Sequence, residues 1–124
     1  MAKYIVEVFE DRTTWCDFNS KELHRIDGPA IEYANGGKSY YVDGRLHRLD
    51  GPAVEYAYGY KSYWVDGKRH RIDGPAIEYR NGDMEYWVDG IELTEEQFLA
   101  RTTSKELTVA DIEKLLGYAV KVVN

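Results

Sequence analysis

One cysteine, three prolines and no long apolar run limit what this 124-residue chain can be. A lone Cys16 excludes an intramolecular disulfide framework and a multi-cysteine zinc site. No stretch approaches the ~20 apolar residues that cross a bilayer. The first residues, Met1-Ala2-Lys3-Tyr4-Ile5-Val6-Glu7-Val8, alternate with acidic groups and hold no signal-peptide core. A cytoplasmic protein is therefore expected. Positive charge is also scarce: 16 basic against 22 acidic residues give a net charge of −6. The deficit is spread evenly along the chain, so no basic arm or stripe exists. Nonspecific nucleic-acid binding and attraction to anionic membranes both need such a stripe, and both are disfavoured. No Gly-x-Gly-x-x-Gly or P-loop sequence is present, so no cofactor is implied.

What the chain does have is repetition. His-Arg-x-Asp-Gly-Pro-Ala starts at His24, His47 and His70, at a constant 23-residue spacing. Each copy continues to a tyrosine (Tyr33, Tyr56, Tyr79). A second motif follows: Lys38-Ser39-Tyr40-Tyr41-Val42-Asp43-Gly44, then Lys61 to Gly67, then Met84 to Gly90. A fixed period of this kind marks an array of small supersecondary units.

Each unit reads as a β-hairpin. Ala30–Ala34 alternates, Asn35-Gly36 is a hairpin signal, Lys38–Val42 is β-rich, and Asp43-Gly44 turns the chain again. A two- or four-residue loop would set Ile31 opposite Tyr40 and Tyr33 opposite Lys38. Ile31, Tyr33, Tyr40 and Val42 then form the core face. Tyr41, Trp64 and Trp87 share the other face with Ala30, Ala53 and Ala76. Residues 1–23 read as a degenerate capping hairpin, with Val6–Phe9 matching Ile31–Ala34 and Trp15 standing where Tyr40 does. Residues 24–92 hold the three repeats. Residues 93–124 read as an α/β tail: a helix opened by the capping-box spacing Thr94-x-x-Gln97, a second helix from Thr108, and a strand over Tyr118–Val123. The expected fold is mainly β: tandem 23-residue hairpins in an antiparallel meander of about eight strands, with that short tail covering a face or an edge.

The segments Asp-Gly-Pro-Ala-x-Glu-Tyr and Tyr-Trp-Val-Asp-Gly resemble MORN-like repeats over residues 24–90. The His-Arg-x-Asp-Gly-Pro-Ala form resembles a variant in small proteins of large bacteriophages and giant viruses. That resemblance implies β-hairpin architecture and a phage-encoded protein acting on a host or phage protein, such as a host defence system. Eukaryotic members imply membrane or scaffolding roles, for which this chain lacks a basic surface.

Three histidines beside three aspartates invite a metal reading, but equivalent residues sit two strands apart, roughly 9.5 Å. Zinc ligands must converge to bonds near 2 Å. His24, Asp27, His47, Asp50, His70 and Asp73 therefore read as structural. The aspartates accept from turn amides or pair with Arg25 or Arg48, and the histidines bridge backbone groups. Glu32, Glu55 and Glu78 recur at the same spacing, at or beyond the usual range for paired carboxylates, and the repetition itself explains them. Cys16 has no histidine at a familiar spacing and reads as a packed thiol. The candidate binding surface is the ladder Tyr41, Trp64, Trp87 flanked by Arg45, Arg48 and Arg71, residue types that dominate interface hot spots.

The expected function is a non-enzymatic protein-binding module. A ligand-binding repeat is the second reading. Its ligand would be a cell-wall glycan or choline, given that Gly37–Gly44 is distantly similar to aromatic cell-wall-binding hairpins, or a nucleotide held by stacking. The third is a self-assembling protein whose open sheet edge or tail drives homo-oligomerisation.

Overall fold

The computed structural model describes residues 3–106, with side chains described through Arg101. The described residues divide into two units, 3–92 and 93–106. The protein is mainly β. Its strands are β1 (Tyr4–Val8), β2 (Arg12–Asp17), β3 (Ile31–Tyr33), β4 (Lys38–Ser39), β5 (Tyr41–Val42), β6 (Arg45–Leu46), β7 (Val54–Glu55), β8 (Lys61–Ser62), β9 (Trp64–Val65), β10 (Lys68–Arg69), β11 (Ile77–Glu78), β12 (Met84–Val88) and β13 (Ile91–Leu93). Nine of them form an antiparallel meander in the order β1-β2-β3-β4-β7-β8-β11-β12-β13, while β5-β6 and β9-β10 pair separately.

Two departures from the sequence reading reshape the faces. First, the hairpin loop has three residues, not two or four. The Tyr33 N–H donates to the Gly37 carbonyl (2.8 Å) and the Gly36 N–H to the Tyr33 carbonyl (2.9 Å). Gly36 takes φ +97° while Asn35 stays right-handed, the pattern of a type I turn closed by a left-handed glycine. Ile31 therefore pairs with Ser39 and Glu32 with Lys38, one residue away from the expected register. Because side chains alternate, a slip of one exchanges the faces. Second, the strand is interrupted at Tyr40 and Tyr63, and the residues after each pair in a separate two-stranded sheet. The expected long second strand splits into β4 plus β5, and into β8 plus β9, and short strands β6, β10 and β13 follow the Asp-Gly turns, so the described residues hold thirteen strands rather than eight.

Directly paired residues share a face. One row runs Thr14, Ile31, Ser39, Val54, Ser62, Ile77, Glu85 across six strand pairs. Its central members, Ile31 to Ile77, are all buried, Ser62 and Ile77 most completely. Alternation of aliphatic and serine keeps this row low, so larger rings from either side can lean over it. The adjacent row, on the opposite face, runs Thr13, Glu32, Lys38, Glu55, Lys61, Glu78, Met84, alternating acid and base. Ala30, Ala53 and Ala76, one residue before each buried aliphatic, have no exposed surface and lie on this second face. They sit beside Tyr40 and Tyr63 rather than Tyr41, Trp64 and Trp87.

Beyond β13, the helix α1 (Glu95–Glu106) begins with a reciprocal capping box. The Gln97 N–H donates to Thr94 Oγ1 (3.1 Å) and the Thr94 N–H to Gln97 Oε1 (2.9 Å). The second helix and the strand expected from Thr108 onward lie outside the described residues.

Candidate functional site: an exposed tyrosine row on a stapled sheet

The His-Arg-x-Asp-Gly-Pro-Ala connections cross the charged face as staples. Arg48 donates through Nε to Asp50 (3.0 Å) and through Nη1 to the Pro52 carbonyl (3.1 Å) and Glu55 (3.5 Å). Its guanidinium lies 4.0 Å from the Tyr40 ring centroid. Arg25 repeats this with Asp27, Pro29, Glu32 and Trp15, and Arg71 with Asp73, Pro75 and Tyr63. Arg71 reaches Glu78 at 3.9 Å. The motif glycine leaves room for the guanidinium: a Cβ on Gly51 would stand 3.0 Å from Arg48 Cζ, and one on Gly74 2.9 Å from Arg71 Cζ, so a side chain there would have to displace the arginine.

The histidines hold turns. His24 Nδ1 accepts from the Asp43 N–H (2.9 Å), His47 from Asp66 and His70 from Asp89 (3.0 Å each). Each Asp-Gly turn has positive φ at both residues (Asp43 +50°, Gly44 +77°), a type I′ turn. A left-handed aspartate costs free energy, and the imidazole offsets it by satisfying the turn amide. His47→Ala is expected to lower stability by about 1 kcal/mol, read as a lower thermal midpoint with unchanged secondary structure. An unchanged midpoint would remove the histidine from the turn's support. Among the described residues, no cluster of three or more His, Cys, Asp or Glu is placed to hold a metal ion. Cys16 is half-buried, and burial, with Glu7 nearby, pushes its thiol pKa up, away from the reactive thiolate.

The proposed ladder residues Tyr41, Trp64 and Trp87 lie on the Ile31 face and are half-buried. Trp64 Nε1 donates to Ser62 Oγ (2.8 Å) and Trp87 Nε1 to Glu85 Oε1 (2.9 Å). Arg69 packs against both indoles, 5.1 Å from Trp64 and 4.8 Å from Trp87, and its buried Nε has no hydrogen-bond partner among the described residues. Burial raises the Tyr41 pKa, and the neighbouring Tyr33 adds to it. The Arg48 and Arg71 backbone N–H groups donate to the Trp64 and Trp87 carbonyls (3.0 and 3.1 Å), but their guanidiniums lie on the Tyr40 and Tyr63 rings, in the staples. Arg45 is exposed beside a type I′ turn, in a cleft of about 740 Å³ that includes Glu22, Asp43 and Asp66. Arg69, which sequence reasoning missed, supplies the cation instead. It stands one residue before His70, where Leu23 and Leu46 precede His24 and His47.

The second missed feature is a tyrosine row along the hairpin-loop end of the Ile31 face. Ring centroids are 6.4 Å apart for Tyr33–Tyr56, 5.4 Å for Tyr56–Tyr60 and 5.6 Å for Tyr60–Tyr79, and the loop residue Tyr58 stacks on Tyr56 at 5.5 Å. Tyr56, Tyr58 and Tyr79 are exposed, Tyr58 by 56%. Tyr58, Tyr60, Tyr79, Arg80 and Asn81 line an open cavity of about 590 Å³. The signal was the recurrence of Tyr33, Tyr56 and Tyr79, reinforced by Tyr58 and Tyr60 in the second copy alone.

Tyr79 donates its hydroxyl to Glu85 Oε2. This bond holds the neutral phenol, so the Tyr79 pKa rises to about 12, and it holds the carboxylate, so the Glu85 pKa falls. The raised phenol contributes stability below the unfolded tyrosine pKa and loses it as pH climbs through about 12. The depressed carboxylate contributes above the unfolded glutamate pKa and loses it as pH falls. Ultraviolet titration should show one tyrosinate forming near pH 12 that disappears from the curve in Tyr79→Phe. A titration curve unaltered by Tyr79→Phe would contradict the bond.

No protein-family model, curated protein or solved structure matches this chain.

Proposed function

We propose that the protein is a non-enzymatic binding module that engages a host or phage protein through the tyrosine row. The observation that carries this reading is the Tyr56-Tyr58-Tyr60-Tyr79 cluster, exposed at Tyr56, Tyr58 and Tyr79, with Tyr58, Tyr60, Tyr79 and Arg80 lining an open cavity. Tyrosine supplies large contact area at low conformational-entropy cost, and tyrosine with arginine is enriched at interface hot spots. The staples support the reading from the other side: the repeat's His, Arg and Asp side chains are occupied holding the scaffold. A phage-encoded inhibitor of a host defence protein is the form that the repeat's resemblance favours.

The cavity volume also falls in the range of small-ligand sites. That favours, as a second reading, a glycan or nucleotide stacked on the tyrosines. A paired variant, Tyr58→Ala with Tyr60→Ala, separates outcomes. Under the protein-binding reading, capture of one stoichiometric partner falls at least tenfold while the thermal midpoint moves little. Under the ligand reading, wild-type protein instead gains thermal stability with added nucleotide or glycan, as linkage requires. Undiminished capture by the paired variant would refute the tyrosine site.

A further inference from the structure

The geometry points to the β1 edge as a self-pairing site: we propose that two copies join antiparallel through Tyr4–Val8, with Ile5 on the twofold axis. The backbone sets which groups are available. The Phe9 N–H donates to the Arg12 carbonyl (2.7 Å) and the Phe18 N–H to the Lys3 carbonyl (3.1 Å). Odd-numbered residues of β1 thus turn their backbone toward β2, and the N–H and C=O groups of Tyr4, Val6 and Val8 face outward. Among the described residues, no strand pairs with that edge. The strand carries neither proline nor bulge; its edge charges are Lys3 and Glu7, and it exposes Val6 by 49%, Val8 by 79% and, just beyond it, Phe9 by 51%.

Charge selects the register and the occupant. A twofold axis perpendicular to the sheet keeps faces together, so only residues of like parity can oppose each other. Pairing centred on Ile5 sets Lys3 opposite the partner copy's Glu7, twice, and Tyr4 opposite the partner copy's Val6. Pairing centred on Val6 matches Glu7 with Ile5 and joins no opposite charges. Pairing centred on Glu7 sets like charges face to face. Lys3 and Glu7 are both exposed, and the Lys3 ammonium stands 5.9 Å from the Phe18 ring. The Ile5 register also covers Val6 and places the charged pairs at the closer, non-hydrogen-bonded positions.

Sedimentation equilibrium from low micromolar to near-millimolar concentration tests this on the full chain. The wild type should rise toward twice the chain mass. Glu7→Lys and Lys3→Glu should each weaken dimerisation about tenfold, because two cross-strand pairs change sign. The combined Lys3→Glu/Glu7→Lys variant should restore it. In a Cys16→Ser background, Ile5→Cys should form a disulfide between copies under mild oxidation, since opposed residues at such a pair stand about 4.5 Å apart at Cα. A wild type that stays monomeric, a dimer indifferent to the charge swaps, or an Ile5→Cys variant that does not cross-link would each overturn the proposal. None of these readouts touches the tyrosine row.

Discussion

Arg48→Ala is expected to destabilise the protein by about 2–3 kcal/mol. A surface ion pair alone would give well under 1 kcal/mol. Arg48 is different because one guanidinium serves several partners. It binds Asp50, the Pro52 carbonyl and Glu55, lies on the Tyr40 ring, and packs against Gly51. Removing it leaves the Pro52 carbonyl without this donor and opens the Tyr40 ring to water. Arg48→Lys should recover little, because an ammonium cannot present the planar fork. Gly51→Ala should mimic the loss in part by displacing the guanidinium. Urea unfolding checks all three as a fall in midpoint at constant slope. A change below ~0.5 kcal/mol for Arg48→Ala would reduce the staple to an ordinary surface pair.

Trp64→Ala should cost a similar amount, about 3 kcal/mol. The indole is half-buried, bonds Ser62, and packs against Arg69. Its loss leaves the buried Ser62 hydroxyl without that donor and removes one of the two rings against Arg69. Arg69→Leu should be milder than Trp64→Ala, because leucine occupies the equivalent positions at Leu23 and Leu46. A double-mutant cycle between Trp64 and Arg69 should return a coupling of about 0.5–1 kcal/mol. A Trp64→Ala protein with wild-type stability would instead make the indole a free surface group and return it to the list of binding residues.

Much of the fold is legible in the residues, and the reasons are local. Asp43-Gly44 reads as a turn, and the structure makes it type I′ because aspartate and glycine tolerate positive φ; the Thr94/Gln97 spacing predicts the cap that forms. The register was the obscure part. Asn35-Gly36 ordinarily signals a two-residue loop, yet here only Gly36 is left-handed. The three copies carry the clue: Ala34-Asn35-Gly36, Ala57-Tyr58-Gly59 and Arg80-Asn81-Gly82 share only the glycine. A single conserved left-handed position fits a three-residue loop, and that parity moves Tyr40 and Tyr41 to opposite faces from those expected. The candidate site moved with it. Arg48 and Arg71, assigned to the aromatic ladder, act as staples, Arg45 lies in an exposed cleft, and the exposed aromatic surface is the tyrosine row.

The most direct test of this division between scaffold and site is a paired comparison of His47→Ala with Tyr58→Ala/Tyr60→Ala, scoring thermal midpoint and partner capture on the same preparations. The histidine variant should melt lower and keep its partner at temperatures where it is folded, while the tyrosine variant should melt normally and lose it. The reverse pattern, with capture lost by folded His47→Ala and kept by the tyrosine variant, would place the function in the repeat motif and contradict the account.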